Sequence, residues 1–321
     1  MFGAPGTREA SRLLPALFVV LLAGCASIPP SVRELPETAG AIELDDTPFY
    51  PQERYQCGPA ALTTILEKSG RAVSLDDVVG KVYLPGRQGS LQLELLAATR
   101  TEGRLPYVLD GTLDAIWKEL EAGRPVLVLQ NLGVAAIPRW HYAVVVGIDA
   151  GRGDVILRSG TDRRRITPSR VFLRTWQRSG YWAMIALAPG ELPAAADRSR
   201  YFEAIAALEQ AGRAEEAAIA WQAALLEWPG DTVALFGLGN ARFAMRDFDA
   251  AETAYRELLD VDPGLAAARN NLALTLAELG AYDDAMEQLD FALSSQPGPA
   301  VEKELRDTAA TIRRRRAGAG N

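Results

Sequence analysis

Three prolines at a constant interval constrain the fold of this chain more than any other feature. Pro229, Pro263 and Pro297 follow one another at steps of 34 residues. Other positions keep the same register, namely Ala217, Ala251 and Ala285, and also Trp221, Tyr255 and Leu289. A period of this length, with small and large apolar residues at fixed places, is typical of helix pairs that stack to bury a common core. We therefore predict an all-α solenoid in this half of the chain.

A helix pair of this period, with small residues at its crossing and a closing proline, resembles the tetratricopeptide repeat. The resemblance covers residues 198–297, which would form three repeats and bind a protein partner in their concave face. Residues 298–321 are predicted to form a capping helix and a solvated basic tail that contains the run Arg313–Arg316. The composition changes at Pro189–Pro193, so we expect the segment 198–316 to fold alone.

The first 25 residues have the features of a signal peptide. The apolar segment Leu13–Leu22 is too short to remain as a membrane-spanning helix, and it ends in Leu22-Ala23-Gly24-Cys25. Small residues before a cysteine resemble the lipobox of bacterial lipoproteins, which implies that Cys25 is acylated and becomes the mature N-terminus. Residues 26–45 would be a tether. Because Ala26 replaces the aspartate that signals inner-membrane retention, the resemblance implies an outer-membrane anchor facing the periplasm.

The bulk composition excludes several function classes. The formal net charge is −7, which argues against a nucleic-acid partner because phosphate binding needs a basic surface. The chain has one histidine and two cysteines, too few for an ordinary zinc site, and it contains no glycine-rich phosphate loop. We therefore expect neither a metal nor a cofactor.

Residues 46–190 show a mixed pattern that predicts an α+β domain. Four helices are expected first, over Pro59–Lys68, Leu75–Tyr83, Leu91–Thr101 and Leu113–Ala122. Apolar runs then predict strands of an antiparallel sheet, over Pro125–Gln130, His141–Ile148, Val155–Arg158 and Tyr181–Leu187.

Cys57 precedes Gly58 and Pro59 at the start of the first of these helices. Proline suits the first turn of a helix, where its missing N–H has no partner to lose. A thiol at a helix N-terminus faces free backbone N–H groups and the positive end of the dipole, which favour the thiolate. We expect the pKa of Cys57 to lie below that of a free thiol.

The only histidine, His141, begins a predicted strand in Trp140-His141-Tyr142-Ala143-Val144-Val145. This arrangement resembles the bacteriocin-leader-processing, or double-glycine, peptidases, a papain-like family in which a Cys-Gly helix start is followed some eighty residues later by His-aromatic-Val-Val. The resemblance implies a papain-like peptidase domain over 46–190, with Cys57 as nucleophile and His141 as general base and acid. It also implies Gln52 as the oxyanion donor. Gln56 is the weaker alternative because its side chain would point away.

The third catalytic residue departs from the family pattern, which has Asp or Asn on the strand after the histidine. Asp149 is excluded, since eight residues of one strand span roughly 26 Å. The family position falls at Ser159, whose hydroxyl can hold the imidazole but brings no charge. Asp162 could substitute if the strand ends in a turn.

The leading hypothesis is a lipid-anchored cysteine peptidase that cleaves a peptide bond, after small residues such as Gly-Gly, in a protein docked by the repeats. A second hypothesis is a non-catalytic, peptide-binding scaffold of the cell envelope, which the serine at position 159 favours. A third is amide or acyl transfer by the same nucleophile.

Overall fold

The computed structural model describes residues 30–36, 38–51 and 56–319. The predicted lipidation site Cys25 and the predicted oxyanion donor Gln52 lie outside these ranges, so both stay predictions. Within the described ranges, no helix combines the length and the apolar character that crossing a bilayer would require.

The first region alternates helices and strands. Its helices are α1 (Pro30–Arg33), α2 (Cys57–Lys68), α3 (Leu75–Val82), α4 (Gln92–Thr101), α5 (Leu113–Glu121) and α6 (Ser169–Gln177). Its strands are β1 (Ala41–Glu43), β2 (Leu105–Val108), β3 (Val126–Asn131), β4 (Trp140–Asp149), β5 (Asp154–Ser159), β6 (Asp162–Pro168) and β7 (Ala183–Leu187).

The seven strands form one antiparallel sheet in the order β2-β7-β3-β4-β5-β6, and β1 pairs with the second half of β4. Alternate residues of β3 and β4 belong to two separate cores. Leu127 and Val144 face α2, while Val128 and Val145 face α5 and α6. Because helices cover both faces, these strands are apolar throughout rather than alternating.

Most predicted elements agree with the structure to within two residues at each end, and the prediction of an α+β region is confirmed. Five elements of this region were not predicted. Helix α1 and strand β1 lie within residues 26–45, the predicted tether, and β1 pairs with β4. The other three elements had no sequence signal. Strand β2 has only four residues and contains Pro106, and β6 is an exposed edge strand that is rich in arginine. Helix α6 directly follows Pro168 and has charged residues between its three buried apolar positions.

The second region consists of paired helices followed by one long helix, as the 34-residue period predicts. The helices are α7 (Arg198–Gln210), α8 (Ala214–Glu227), α9 (Thr232–Ala244), α10 (Phe248–Val261), α11 (Ala266–Glu278), α12 (Tyr282–Ser294) and α13 (Pro299–Ala319). The ring of Trp221 packs against the backbone of α9 at Gly237, where a Cβ atom would lie 2.3 Å from the ring. This close approach explains why a glycine occupies this position inside the helix.

The first repeat and the sheet share one hydrophobic core. Tyr201 and Phe202 of α7 are buried in the cluster that contains Leu105 and Tyr107 of β2. The Tyr107 hydroxyl accepts a hydrogen bond from the backbone N–H of Asp197 at 3.1 Å. The composition changes at Pro189–Pro193, but the packing is continuous across this point. A segment that began at residue 198 would expose the side of α7 that packs against β2.

Two of the four arginines in the basic tail are not simply solvated. Arg316 forms an ion pair with Asp283 at 2.6 Å, and Arg315 pairs with Glu278. Both carboxylates belong to the third repeat, so the end of α13 is attached to the helices that it caps.

Candidate active site

Cys57 is the first residue of α2, two residues before the predicted helix start. The helix can begin so close to its neighbours because residue 58 is glycine. A Cβ atom there would lie 2.7 Å from Ser90 Oγ and 3.4 Å from Tyr142 Cδ2. A larger residue would clash with Ser90, so the start of α2, with Cys57, would have to shift relative to the segment that precedes α4.

His141 lies near the start of β4 and pairs with Gln130 of β3. Its Nε2 atom is 2.8 Å from Ser159 Oγ, at the end of the neighbouring strand β5. Ser159 is 4% exposed, so this hydrogen bond is shielded from water. The geometry leaves Nδ1 as the ring nitrogen that is not engaged by Ser159.

Asp162 is not in contact with the imidazole. It pairs with Ser159 across the tight turn from β5 to β6, in which Gly160 has a φ of 62°. Its carboxylate is exposed and lies 3.7 Å from the guanidinium of Arg165. The strand does end in a turn, but the turn directs the serine, and not the aspartate, to His141. The catalytic role of Ser159 stays a prediction.

Cys57 and His141 line the same cleft, whose volume is about 960 Å³. Its lining includes residues 87–92, which lead into α4, and residues 139–142 together with Leu129, Gly160 and Ser179. Among the described residues, no hydrogen bond joins the thiol to the imidazole. Such contacts are often long in unliganded enzymes and shorten when substrate binds. Gln56 precedes α2 and does not line the cleft.

Burial dominates the ionisation of both groups. It raises the pKa of Cys57, and the backbone N–H groups of Tyr142 and Gly58 oppose this effect without reversing it. The pKa of His141 is lowered to about 4, first by burial and then by the positive charges of Arg165 and Arg139. The expectation of a lowered pKa at Cys57 is wrong, because desolvation of the thiolate outweighs the helix N-terminus. Both groups are therefore neutral at pH 7.

Two arginines that line the cleft, Arg87 and Arg139, could not be identified from any sequence pattern. Arg87 ends a short 3-10 turn, and Arg139 ends the loop between β3 and β4. Neither belongs to a motif, and only the folding of these loops toward the helix start brings them to the site. Nothing in the local sequence distinguishes either residue from any other surface arginine.

Comparison with protein families agrees with the two regions. Residues 44–184 match the Peptidase_C39 like family, and residues 236–299 match the tetratricopeptide repeat. The predicted resemblance of the two regions to these families, and the fold class, are confirmed. The second match leaves out the first repeat, which packs on the sheet. No curated protein matches the chain.

Solved structures resemble each region separately. A protein from Bacillus anthracis described as a C39-like peptidase is 15% identical, with a TM-score of 0.39, and the match covers 46% of this chain and 98% of the other. A double glycine motif protease from an AMS/PCAT transporter, in complex with the leader peptide, is 20% identical, with a TM-score of 0.35 and coverage of 46% and 94%. The type III secretion translocator chaperone SycD of Yersinia enterocolitica is 19% identical, with a TM-score of 0.36 and coverage of 38% and 86%.

Proposed function

We propose that this protein is a cysteine peptidase that hydrolyses a peptide bond through a thioester intermediate. The observation that carries the proposal is the cleft that both the thiol at the start of α2 and the imidazole at the start of β4 line, with Ser159 2.8 Å from the imidazole. A nucleophile, a base and a group that orients the base are the minimum set for this chemistry.

The resting state determines how the reaction would begin. Because Cys57 and His141 are both neutral, the thiol loses its proton only as it attacks. His141 Nδ1 accepts that proton while Sγ bonds to the carbonyl carbon of the substrate, and Nε2–H donates to Ser159 Oγ. His141 then gives the proton to the departing amine. Water attacks the thioester with His141 again as base, which releases the carboxylic acid and restores the thiol.

The tetrahedral intermediate carries a negative charge that the site must stabilise. The backbone N–H of Cys57 lies at the N-terminus of α2, where it has no partner within the helix. We assign it as one oxyanion donor and the side-chain amide of Gln52 as the other, the latter from the family resemblance. Preorganised donors of this kind contribute more than any other single factor to many hydrolases.

The remaining parts of the proposal concern location and substrate. Acylation of Cys25 would hold the chain on the outer membrane, facing the periplasm. The repeats would dock a protein substrate or partner, and cleavage would follow small residues such as Gly-Gly.

The test is labelling by a peptide chloromethyl ketone that ends in Gly-Gly, read by intact mass. The wild-type chain should gain one label on Cys57, and Cys57→Ser should gain none. His141→Ala should label far more slowly, because the reagent needs the thiol proton removed. Equal labelling of wild type and His141→Ala would contradict the proposed mechanism.

A peptide-binding module without activity is the second candidate, and two observations favour it. Burial raises the pKa of Cys57, and the partner of His141 is an uncharged serine rather than a carboxylate. This function predicts binding of a Gly-Gly peptide with no label on Cys57 and no cleavage after prolonged incubation.

A further inference from the structure

Among the described residues that line the cleft, the charged side chains are all positive. They are Arg87 and Arg139, and no carboxylate is among the lining residues that the structure describes. Both arginines are exposed, and neither forms an ion pair with a described residue. Most other arginines near the site have partners, such as Arg164 with Glu43 at 2.8 Å.

The acidic groups nearest the cleft do not neutralise these two charges. Asp162 lies 3.7 Å from Arg165 and so offsets the charge of that residue rather than those of Arg87 and Arg139. Glu94 of α4 is close enough to affect Tyr142, but it does not line the cleft. The positive charges of Arg165 and Arg139 both act on His141. Among the described residues, the charges that line the cleft itself are therefore positive.

Two guanidinium groups that line one cleft, without an ion pair to a described residue, have a clear chemical complement. Arginine presents a planar set of donors that matches the two oxygens of a carboxylate. A concave surface also focuses the field and concentrates ligands of opposite charge. Because the cleft must hold an extended peptide, the complementary groups would be side chains on that peptide.

Building on the proposed function, we propose that the cleft selects acidic peptides, with Arg87 and Arg139 binding Asp or Glu side chains that flank the residues at Cys57. A carboxylate held by Arg139 would also cancel part of the positive field at His141. The imidazolium that forms during the attack would then be more stable, so an acidic substrate assists its own cleavage.

Binding to the full chain carrying Cys57→Ser tests the charge preference without requiring activity. The probe is a fluorescein-labelled decapeptide with a central Gly-Gly, whose four flanking glutamates alternate with alanines. The comparison peptide has glutamine in place of each glutamate. We expect the glutamate peptide to bind about tenfold more tightly in 50 mM salt, and the ratio to fall to about threefold in 500 mM salt, where the charges are screened.

Variants of the two arginines assign the effect to the cleft. Arg87→Gln and Arg139→Gln should each lower the ratio of the two affinities about threefold, and the double variant should bring it close to one. Arg139→Lys should keep part of the preference, since the charge remains. Arg170→Gln is the matched control, because Arg170 is exposed and does not line the cleft. Its neighbour Ser169 donates its N–H to the carbonyl of Gly153, at the opposite end of β5 from Ser159.

Three results would overturn the inference: equal affinities for the two peptides, a preference that survives the double variant, or no binding of the glutamate peptide at 1 mM. Cleavage assays with wild-type protein separate this inference from the proposed function. A charge preference without cleavage would leave acidic-peptide binding in place and refute the peptidase. Cleavage of both peptides at equal rates, with equal affinities, would support the peptidase and refute the preference for acidic peptides.

Discussion

The two regions of this molecule differ in how far apart in sequence their important contacts lie. In the repeats, each helix packs mainly on the helix before and after it, as α9 does on α8 and α10. In the sheet region, Cys57 and His141 line one cleft although 84 residues separate them, and His141 is hydrogen-bonded to Ser159 of the next strand. Local packing leaves a period in the sequence, whereas a site assembled from distant segments leaves only isolated residues.

The first repeat, at the boundary between the regions, belongs to both kinds of packing. The first repeat has the local packing of a solenoid, yet α7 is buried against β2 in the core of the sheet region. The second and third repeats have a core of their own, which includes Leu289 and the inner face of α13. We infer that the first repeat unfolds with the sheet, and that stability decreases toward the C-terminal end.

The largest expected effect is on the site assembled from distant segments. His141→Ala should lower kcat/KM for a cleaved peptide by about 10³ to 10⁴-fold, because the thiol loses the base that removes its proton. The imidazole makes one hydrogen bond, to Ser159, so the melting temperature should change little. A variant that retains activity within tenfold of wild type would show that the two segments do not meet for catalysis.

The next largest effect tests whether the first repeat, unlike the third, shares its core with the sheet. Trp221→Ala removes a buried ring and should destabilise the protein by about 3–5 kcal/mol. Because Trp221 belongs to the shared core, amide exchange should accelerate in β2 as well as in α7. The same change at the equivalent position of the third repeat, Leu289→Ala, should cost about 2–5 kcal/mol and leave exchange in β2 unchanged. Equal responses in β2 would mean that the repeats form one unit with the sheet.

A smaller effect is expected from the partner of the imidazole. Ser159→Ala removes one neutral hydrogen bond, which contributes about 1 kcal/mol, so kcat should fall about fivefold. Asp162→Asn is the matched control and should leave kcat unchanged, since its carboxylate is exposed and directed at Arg165. A larger loss with Asp162→Asn would contradict the observed turn.

The smallest effect is the acid titration of the single histidine. Burial lowers the pKa of His141 to about 4, so its imidazole resonances should titrate near pH 4 in the folded chain, against the usual 6.5 of a histidine. The unfolded state therefore binds more protons between these values, so stability should fall as the pH drops from about 6.5 to about 4. Peptidase activity should persist to about pH 5 and then decline, as His141 becomes protonated. A midpoint near 6.5 would mean that the imidazole is solvated.

Much of the architecture could be predicted from residue patterns. The helix at Cys57 has a proline in its first turn and ends at Ser69 followed by Gly70, which takes a φ of 79°, so both boundaries have local causes. Strand β6 could not be predicted, because its exposed arginines carry no apolar pattern and its pairing depends on the turn at Gly160. The ionisation of Cys57 was wrongly predicted, since a helix start is visible in sequence and the degree of burial is not.

The sequence by itself determined the repeats, the order of helices and strands, and the identity of the thiol and the imidazole as the pair most suited to chemistry. Those features depend on contacts between residues close in the chain, or on residue types that are rare in it, one histidine and two cysteines. The tertiary structure decided that Ser159 rather than Asp162 holds His141, that both reacting groups are neutral, and that Arg87 and Arg139 face the cleft. Each of these depends on which distant segments exclude water from the site, and burial of that kind exists only after the chain has folded.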